Sequence, residues 1–242
     1  MRNPKGPLPR IVVIIAVAAL IVGVLAVGIL PGLSAPAASP TAAPGTPGTP
    51  GPSALPAGTY ASQVFKPTVT FTVPDGWMVG ADSTPYFQLL PANTDVVGIH
   101  LFRDAKAASQ DPSCPDTPAA GVGSSATELV AWIRGRPGLV VGDPAPVTIG
   151  GLSGQEIDVS IKDGWTASCP FADGLPTVSL LVETTGGYRW VVAGSERLRL
   201  DILEVPGGGT VIVDIDAFDG ALMPDLLKQA TPIVRSFSFA QS

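Results

Sequence analysis

The sequence predicts an α+β domain: an antiparallel sheet with a short mid-chain helix and a C-terminal helix, preceded by one transmembrane helix and a disordered Pro-rich linker. Three observations carry this. Residues 11–30, IVVIIAVAALIVGVLAVGIL, are twenty apolar residues without a charge or an amide. Residues 34–58 hold seven prolines and no charged or aromatic residue. Beyond them, short runs of strand periodicity are punctuated by turn signals, and only two stretches space their apolar residues as a helix does.

A helix rises about 1.5 Å per residue, so twenty residues cover roughly 30 Å, the thickness of a bilayer's hydrocarbon core. A cleavable signal peptide has a shorter apolar region, about 7–15 residues. The reading is therefore a retained signal-anchor over 11–33. Ala35-Pro36-Ala37 has the A-x-A pattern of a cleavage site, with proline poorly placed at its centre; cleavage there would give a secreted form. Arg2, Lys5 and Arg10 form a basic tail over 1–10, and no acid occurs before Asp75. The positive-inside rule keeps that tail in the cytoplasm and puts the C-terminal bulk outside, in a single pass of the plasma membrane. The first cysteine is Cys114, so a lipidated N-terminal cysteine is excluded. Gly23 and Gly28 do not have GxxxG spacing.

The linker, 34–58, cannot bury enough apolar surface to offset its ordering entropy. Proline biases it toward extended polyproline II, so it reaches up to roughly 75 Å at about 3.1 Å per residue. Its Thr/Ser/Pro mix also suits an O-glycosylated stalk. Residues 59–242 form the outer domain. They hold eleven basic and twenty acidic residues, a net charge of −9. That sign argues against nucleic acid, whose phosphates need a basic surface, and against a domain lying on anionic lipid.

The elements follow in order. Thr68–Val73 alternates as a half-buried strand, Pro74-Asp75-Gly76 turns, and Trp77-Met78-Val79 restarts a strand. Tyr86–Leu90 and Val96–Phe102 flank the loop PANTD. Ser125 to Glu128 reads as a capping box, followed by Leu129, Trp132 and Ile133 on one helical stripe that Gly135 and Pro137 stop. Strands are expected at Val147–Ile149, Ile157–Ile161, Thr177–Val182 and Tyr188–Ala193, with turns at Gly150-Gly151 and Gly186-Gly187. Arg197–Val205 and Thr210–Ile215 flank PGGG, a strong hairpin signal. Asp219 is placed to cap a helix whose stripe is Leu222, Met223, Leu226, Leu227, Ala230, Ile233 and Val234. Pro232 is expected to kink or end it. Phe237 and Phe239 alternate with serines in a terminal strand.

These residues reach a resemblance. Phe71-Thr72-Val73-Pro74-Asp75-Gly76-Trp77 resembles the "f-x-v-P-x-G-W" opening of the PsbP/Mog1-like superfamily. Val147 to Glu156 resembles its "v-x-i-x-G-x-x-G" hairpin, and Ile233 to Phe239 its terminal helix running into "S-F-x-F". The likeness would cover most of 62–240. It implies a fold, with bacterial extracytoplasmic members among those that have it, and it brings no functional residue to carry over.

Cys114 and Cys169 lie in loop-like contexts, DPSCPD and ASCPFAD. Outside the cytoplasm such a pair reads as a disulfide. The rivals are a metal pair or a reactive thiol, but a zinc site needs four ligands and His100 is the only histidine. His100 reads as a half-exposed strand residue. A serine nucleophile elbow is absent, Ser153 in GGLSG having the wrong spacing. In DIDAFDG, Phe218 stands where an EF-hand needs its third acid, so Asp214 and Asp216 read as the solvent face of an edge-like strand. PGGG lacks the lysine and helix of a phosphate loop. Trp165 lies four residues before Cys169 in a loop with Phe171. These two aromatics are the candidate ligand or partner contact.

The expectation is a non-catalytic interaction or ligand-sensing module of the bacterial cell envelope, held to the membrane by its N-terminal helix. It would meet an envelope protein or a small-molecule ligand, with no cofactor, no metal and no nucleic acid. The alternative is a cell-envelope hydrolase using carboxylates such as Asp158, Asp214 and Asp216, which would have to sit about 5–10 Å apart in a cleft.

Overall fold

A computed structural model of the chain describes residues 54–183 and 188–240. The basic tail 1–10, the span 11–33, the linker as far as residue 53 and the Gly186-Gly187 turn lie outside those residues. Among the described residues, no helix is long and apolar enough to cross a membrane.

The strands are Gly58–Ala61 (β1), Val69–Val73 (β2), Trp77–Asp82 (β3), Tyr86–Pro91 (β4), Val97–Arg103 (β5), Lys106–Ala107 (β6), Leu139–Val141 (β7), Ala145–Ile149 (β8), Leu152–Ile161 (β9), Thr177–Val182 (β10), Arg189–Ala193 (β11), Arg197–Glu204 (β12), Thr210–Ala217 (β13) and Ser238–Phe239 (β14). The helices are Ala126–Arg134 (α1) and Met223–Arg235 (α2). The main sheet has the order β3-β4-β5-β13-β12-β9-β7, with β8 also paired to β9. Two small sheets flank it, β1-β2-β14 and β11-β10-β6. All the strand pairings are antiparallel.

The turns decide much of this order. Gly207, Gly208 and Gly209 all take positive φ, so the glycine run lets β12 fold back on β13 in eight-residue register. Gly150 and Gly151 do the same for β8 and β9. The linker's last residues already pair with the domain: Leu55 N donates to Trp77 O at 2.6 Å and Ala57 N to Asp75 Oδ1 at 2.7 Å.

Alternation along the central strands feeds two cores. Val211, Val213 and Ile215 of β13 join Ile99 and Leu101 of β5 under α2 and the β1-β2-β14 sheet, with Phe71, Leu226 and Ile233 in the same cluster. Ile212, with Leu198, Leu200 and Ile202 of β12, packs under α1 and the β11-β10-β6 sheet, against Leu129, Ile133 and Leu181. Each such side chain contributes about 1.5–3 kcal/mol by leaving water. The architecture is α+β, as the periodicity predicts.

Both helices begin as the sequence dictates. Ser125 and Glu128 form the reciprocal capping box of α1. Asp219 caps a single 3-10 turn, Gly220–Leu222, that leads into α2. Pro232 does not end α2, which runs on to Arg235. Proline there removes one N–H in the last turn, and Ile233 and Val234, both buried, hold that turn on the sheet.

Two expectations are overturned. Asp214 and Asp216 do not face solvent from an edge: β13 is the middle strand of the main sheet and is covered on both faces. His100 is not half-exposed; it is 4% exposed, opposite Asp214 on β5. In both cases the β10–β11 hairpin covers a face that strand alternation alone leaves open.

Candidate functional site

Under that hairpin lie His100, Asp214 and Asp216 of the main sheet, all buried. Register sets them side by side. Asp214 pairs with His100 of β5 and Leu200 of β12, while Asp216 pairs with Gly98 and Leu198. Asp214 is fully buried, Asp216 7% exposed and Glu196, in the turn from β11 to β12, 6% exposed. Gly98 keeps the cluster compact, since a Cβ there would lie 2.9 Å from His100 Nε2.

Each group has a definite partner. The Tyr86 hydroxyl and His100 Nδ1 share a hydrogen bond of 2.7 Å. Trp190 Nε1 donates to Asp214 Oδ2 at 2.7 Å, and Asp214 Oδ1 finds no donor among the described residues. Ala193 N donates to Glu196 Oε2 at 2.7 Å. Aromatic rings wall the group: His100 and Trp190 centroids are 4.5 Å apart, Phe102 and Trp190 5.0 Å, and Phe102 and Tyr188 5.0 Å.

Burial governs the titration of all of them, because a charge in a low-dielectric interior is costly. It pushes Glu196 well above the ordinary carboxyl range, helped by the negative charge of Asp216 and the bond to it. Burial, then the charge of Asp216, raises Asp214 likewise, against the Trp190 bond. Asp216 is lifted by burial to about 6, with the Glu196 bond pulling it down. His100 is driven by burial down to about 3, so it is neutral near pH 7. Burial, then the charges of Asp216 and Asp214, raises the Tyr86 phenol. Among the described residues, no ion pair engages Asp214, Asp216 or Glu196. Nor do three or more His, Cys, Asp or Glu side chains come together as a metal would require.

Asp158 stands apart from these acids. It pairs with Arg199, which pairs with Ile215, and so lies on the face of the sheet opposite Asp214 and Asp216. Arg199 Nε donates to Asp158 Oδ1 at 2.8 Å.

Cys114 and Cys169 are bonded, with S–S 2.05 Å and Cα atoms 5.6 Å apart. Beside them Trp165 is half-buried. Its Nε1 donates to Thr177 O at 3.1 Å, and its ring lies over Gly138, where a Cβ would come within 2.6 Å of it. Phe171 is half-buried under the Arg189 guanidinium, 4.5 Å above its ring, and Arg189 also pairs with Asp116. A concave feature lies elsewhere: an open groove of about 550 Å³ between the β2–β3 turn and α2, lined by Thr72, Pro74, Asp75, Lys228 and Pro232 among others.

Sequence reasoning picks out His100, Asp214 and Asp216 but not the company they keep. It does not single out Glu196, and it places Tyr86 and Trp190 only within the expected strands Tyr86–Leu90 and Tyr188–Ala193. In TVIVDIDA one alternating set is apolar while the other, Thr210, Ile212, Asp214 and Asp216, holds only Ile212, so the pattern is that of a half-buried strand and does not announce the second covered face.

No family model and no curated protein matches the chain. Among solved structures, the chain is similar to a protein from Bacteroides thetaiotaomicron at 10% identity and a TM-score of 0.33, over 72% of this chain and 46% of that one. It therefore spans about half the length of that protein. It is also similar to PsbP (CyanoP) of the cyanobacterium Synechocystis sp. PCC 6803 at 9% identity and a TM-score of 0.34, over 80% of this chain and 99% of that one. The latter belongs to the group that the sequence motifs resemble. TM-scores of this size carry no argument about a site or an activity; the fold stands on the strand order and helices given above.

Proposed function

We propose that the chain is a membrane-tethered extracytoplasmic protein whose domain works as a non-catalytic interaction or ligand-sensing module of the cell envelope. The tether rests on the twenty-residue apolar segment with its basic flank, and the reach on the proline-rich stalk. The observation that carries the non-catalytic half is the burial of the acid cluster. Asp214, Asp216 and Glu196 turn inward, bonded to the hairpin that covers them, where they join layers and do not meet a substrate. The hydrolase alternative draws no support from Asp158, which is across the sheet from the other two acids.

Fractionation tests the reading. The full-length chain should stay with membranes through an alkaline carbonate wash, and protease added to intact spheroplasts should remove residues 59–242 and spare the tail. Soluble protein beginning near Ala38 would replace the anchor with a secreted form. Hydrolysis of wall polymer that survives D214N and D216N but not D158N would overturn the non-catalytic reading.

A further inference from the structure

The β10–β11 hairpin covers the main sheet with little backbone pairing to hold it there. Among the described residues its strands pair outside the hairpin only through Leu181 with Ala107 and Val182 with Lys106. Its other backbone ties run to two loops. From the loop after β6, Ala108 N donates to Leu180 O at 3.1 Å and Gln110 Nε2 to Ser179 O at 3.0 Å. From the loop before β10, Trp165 Nε1 donates to Thr177 O at 3.1 Å, and Ala167 O accepts from Thr177 N at 2.9 Å. The Cys114–Cys169 bond stitches these two loops to each other, with Cys169 Sγ 3.7 Å from the Ser179 hydroxyl of β10.

What lies beneath the hairpin favours its opening. Thr210 Oγ1 and Asp214 Oδ1, on one face of β13, and the Tyr188 hydroxyl, beside β11, are buried without a hydrogen-bond partner among the described residues. Each would gain water if the hairpin lifted, so the desolvation that the cover imposes works against the cover. Apolar contacts of Leu180, Leu181 and Val192 oppose that release, as does the Trp190 bond to Asp214. On the other face of the sheet the core under α2 draws, among the described residues, on neither of the two loops. A covalent tie between those loops therefore bears on the hairpin layer and not on the α2 layer.

We propose that the Cys114–Cys169 bond is a redox-operated clasp: a dithiol reductant opens it, and the β10–β11 hairpin then lifts from the His100 and Asp214 face while the α2 layer stays folded. One thiolate of the reductant attacks Cys114, the more exposed of the pair at 8% against 2%. The S–S bond breaks and its electron pair goes to the Cys169 sulfur, which accepts a hydrogen bond from the Ser179 hydroxyl and then takes a proton. The reductant's second thiolate attacks the mixed disulfide, Cys114 leaves and is protonated, and the reductant ends as its own disulfide. Two electrons have passed to the bridge. This goes beyond the proposed function and holds whether or not the chain is anchored.

The test is hydrogen–deuterium exchange of the full-length chain in detergent micelles, oxidised and after dithiothreitol, at a single pH. An alkylated aliquot weighed intact shows whether both thiols have formed. Peptides covering 177–182 and 189–193 should lose about tenfold or more of their protection on reduction, while peptides covering 69–73 and 223–235 hold. C114S cannot form the bridge and should show the reduced pattern without reductant; C169S carries the comparison if C114S fails to fold. Unchanged hairpin protection once both thiols are present overturns the clasp without either variant. So does a bridge that dithiothreitol leaves intact in the folded chain, or loss of protection in all peptides together, which is global unfolding.

Discussion

Replacing Asp201 with asparagine should leave the domain nearly unchanged in acid and stabilise it in alkali. Asp201 lies on β12 between Val213 and Glu156, 2% exposed, with its Oδ1 unpartnered among the described residues. Burial, then the charge of Glu156, raises its carboxyl to about 7, against the pull of Arg199. The unfolded chain releases this proton near 3.8. The group's contribution is therefore fully present below that pH and is lost as pH climbs through about 7. The shift corresponds to about 4 kcal/mol between the two limits, an upper figure for a single side chain. Asparagine has nearly the same shape and never ionises. D201N should match wild type within about 1 kcal/mol at pH 4 and exceed it by up to about 4 kcal/mol at pH 8. Urea unfolding of the intact chain in mild detergent, followed by tryptophan fluorescence at both pH values, reads this directly. A difference of the same sign and size at pH 4 and pH 8 would refute the reasoning, because the effect would then lie in packing and not in a retained proton.

His100 works in the opposite direction: held at about 3 against an ordinary 6.5, its contribution is present above pH 6.5 and is lost as pH falls. H100N, which keeps an acceptor for Tyr86, should flatten the acid limb of the stability curve while costing some ring packing at pH 7, and stability measured between pH 6.5 and 4 shows the slope. W190F removes the indole that donates to Asp214 and leaves neither carboxylate oxygen with a partner among the described residues; a loss of about 1–3 kcal/mol is expected in equilibrium unfolding. Converting Cys114 and Cys169 to serine opens a loop spanning 55 positions and should cost about 4 kcal/mol in the same assay, with no effect of reductant remaining in the variant.

What the sequence made legible was local. A capping box at Ser125 needs only four residues to declare itself, and three consecutive glycines announce a turn that takes positive φ whatever surrounds it. The Cys114–Cys169 bond was legible by elimination, as a pair of loop cysteines with no third and fourth ligand. The acid cluster was not, and the reason is geometric. Period-two alternation says which residues share a face, and it placed Asp214 and Asp216 together correctly. It does not say whether that face meets water, which depends on the β10–β11 hairpin crossing over β13. Among the described residues that hairpin pairs outside itself only through β10 with β6, Leu181 with Ala107 and Val182 with Lys106, a partnership distant in sequence and too short to have a pattern of its own. Once it covers the face, the free-energy sense of the two aspartates reverses. On an open face they would be solvated charges of no consequence. Under the hairpin they are carboxyls that must find donors, and Trp190 supplies one to Asp214 from the covering layer itself. The hairpin thus both buries the acids and furnishes the donor that makes the burial of Asp214 tolerable.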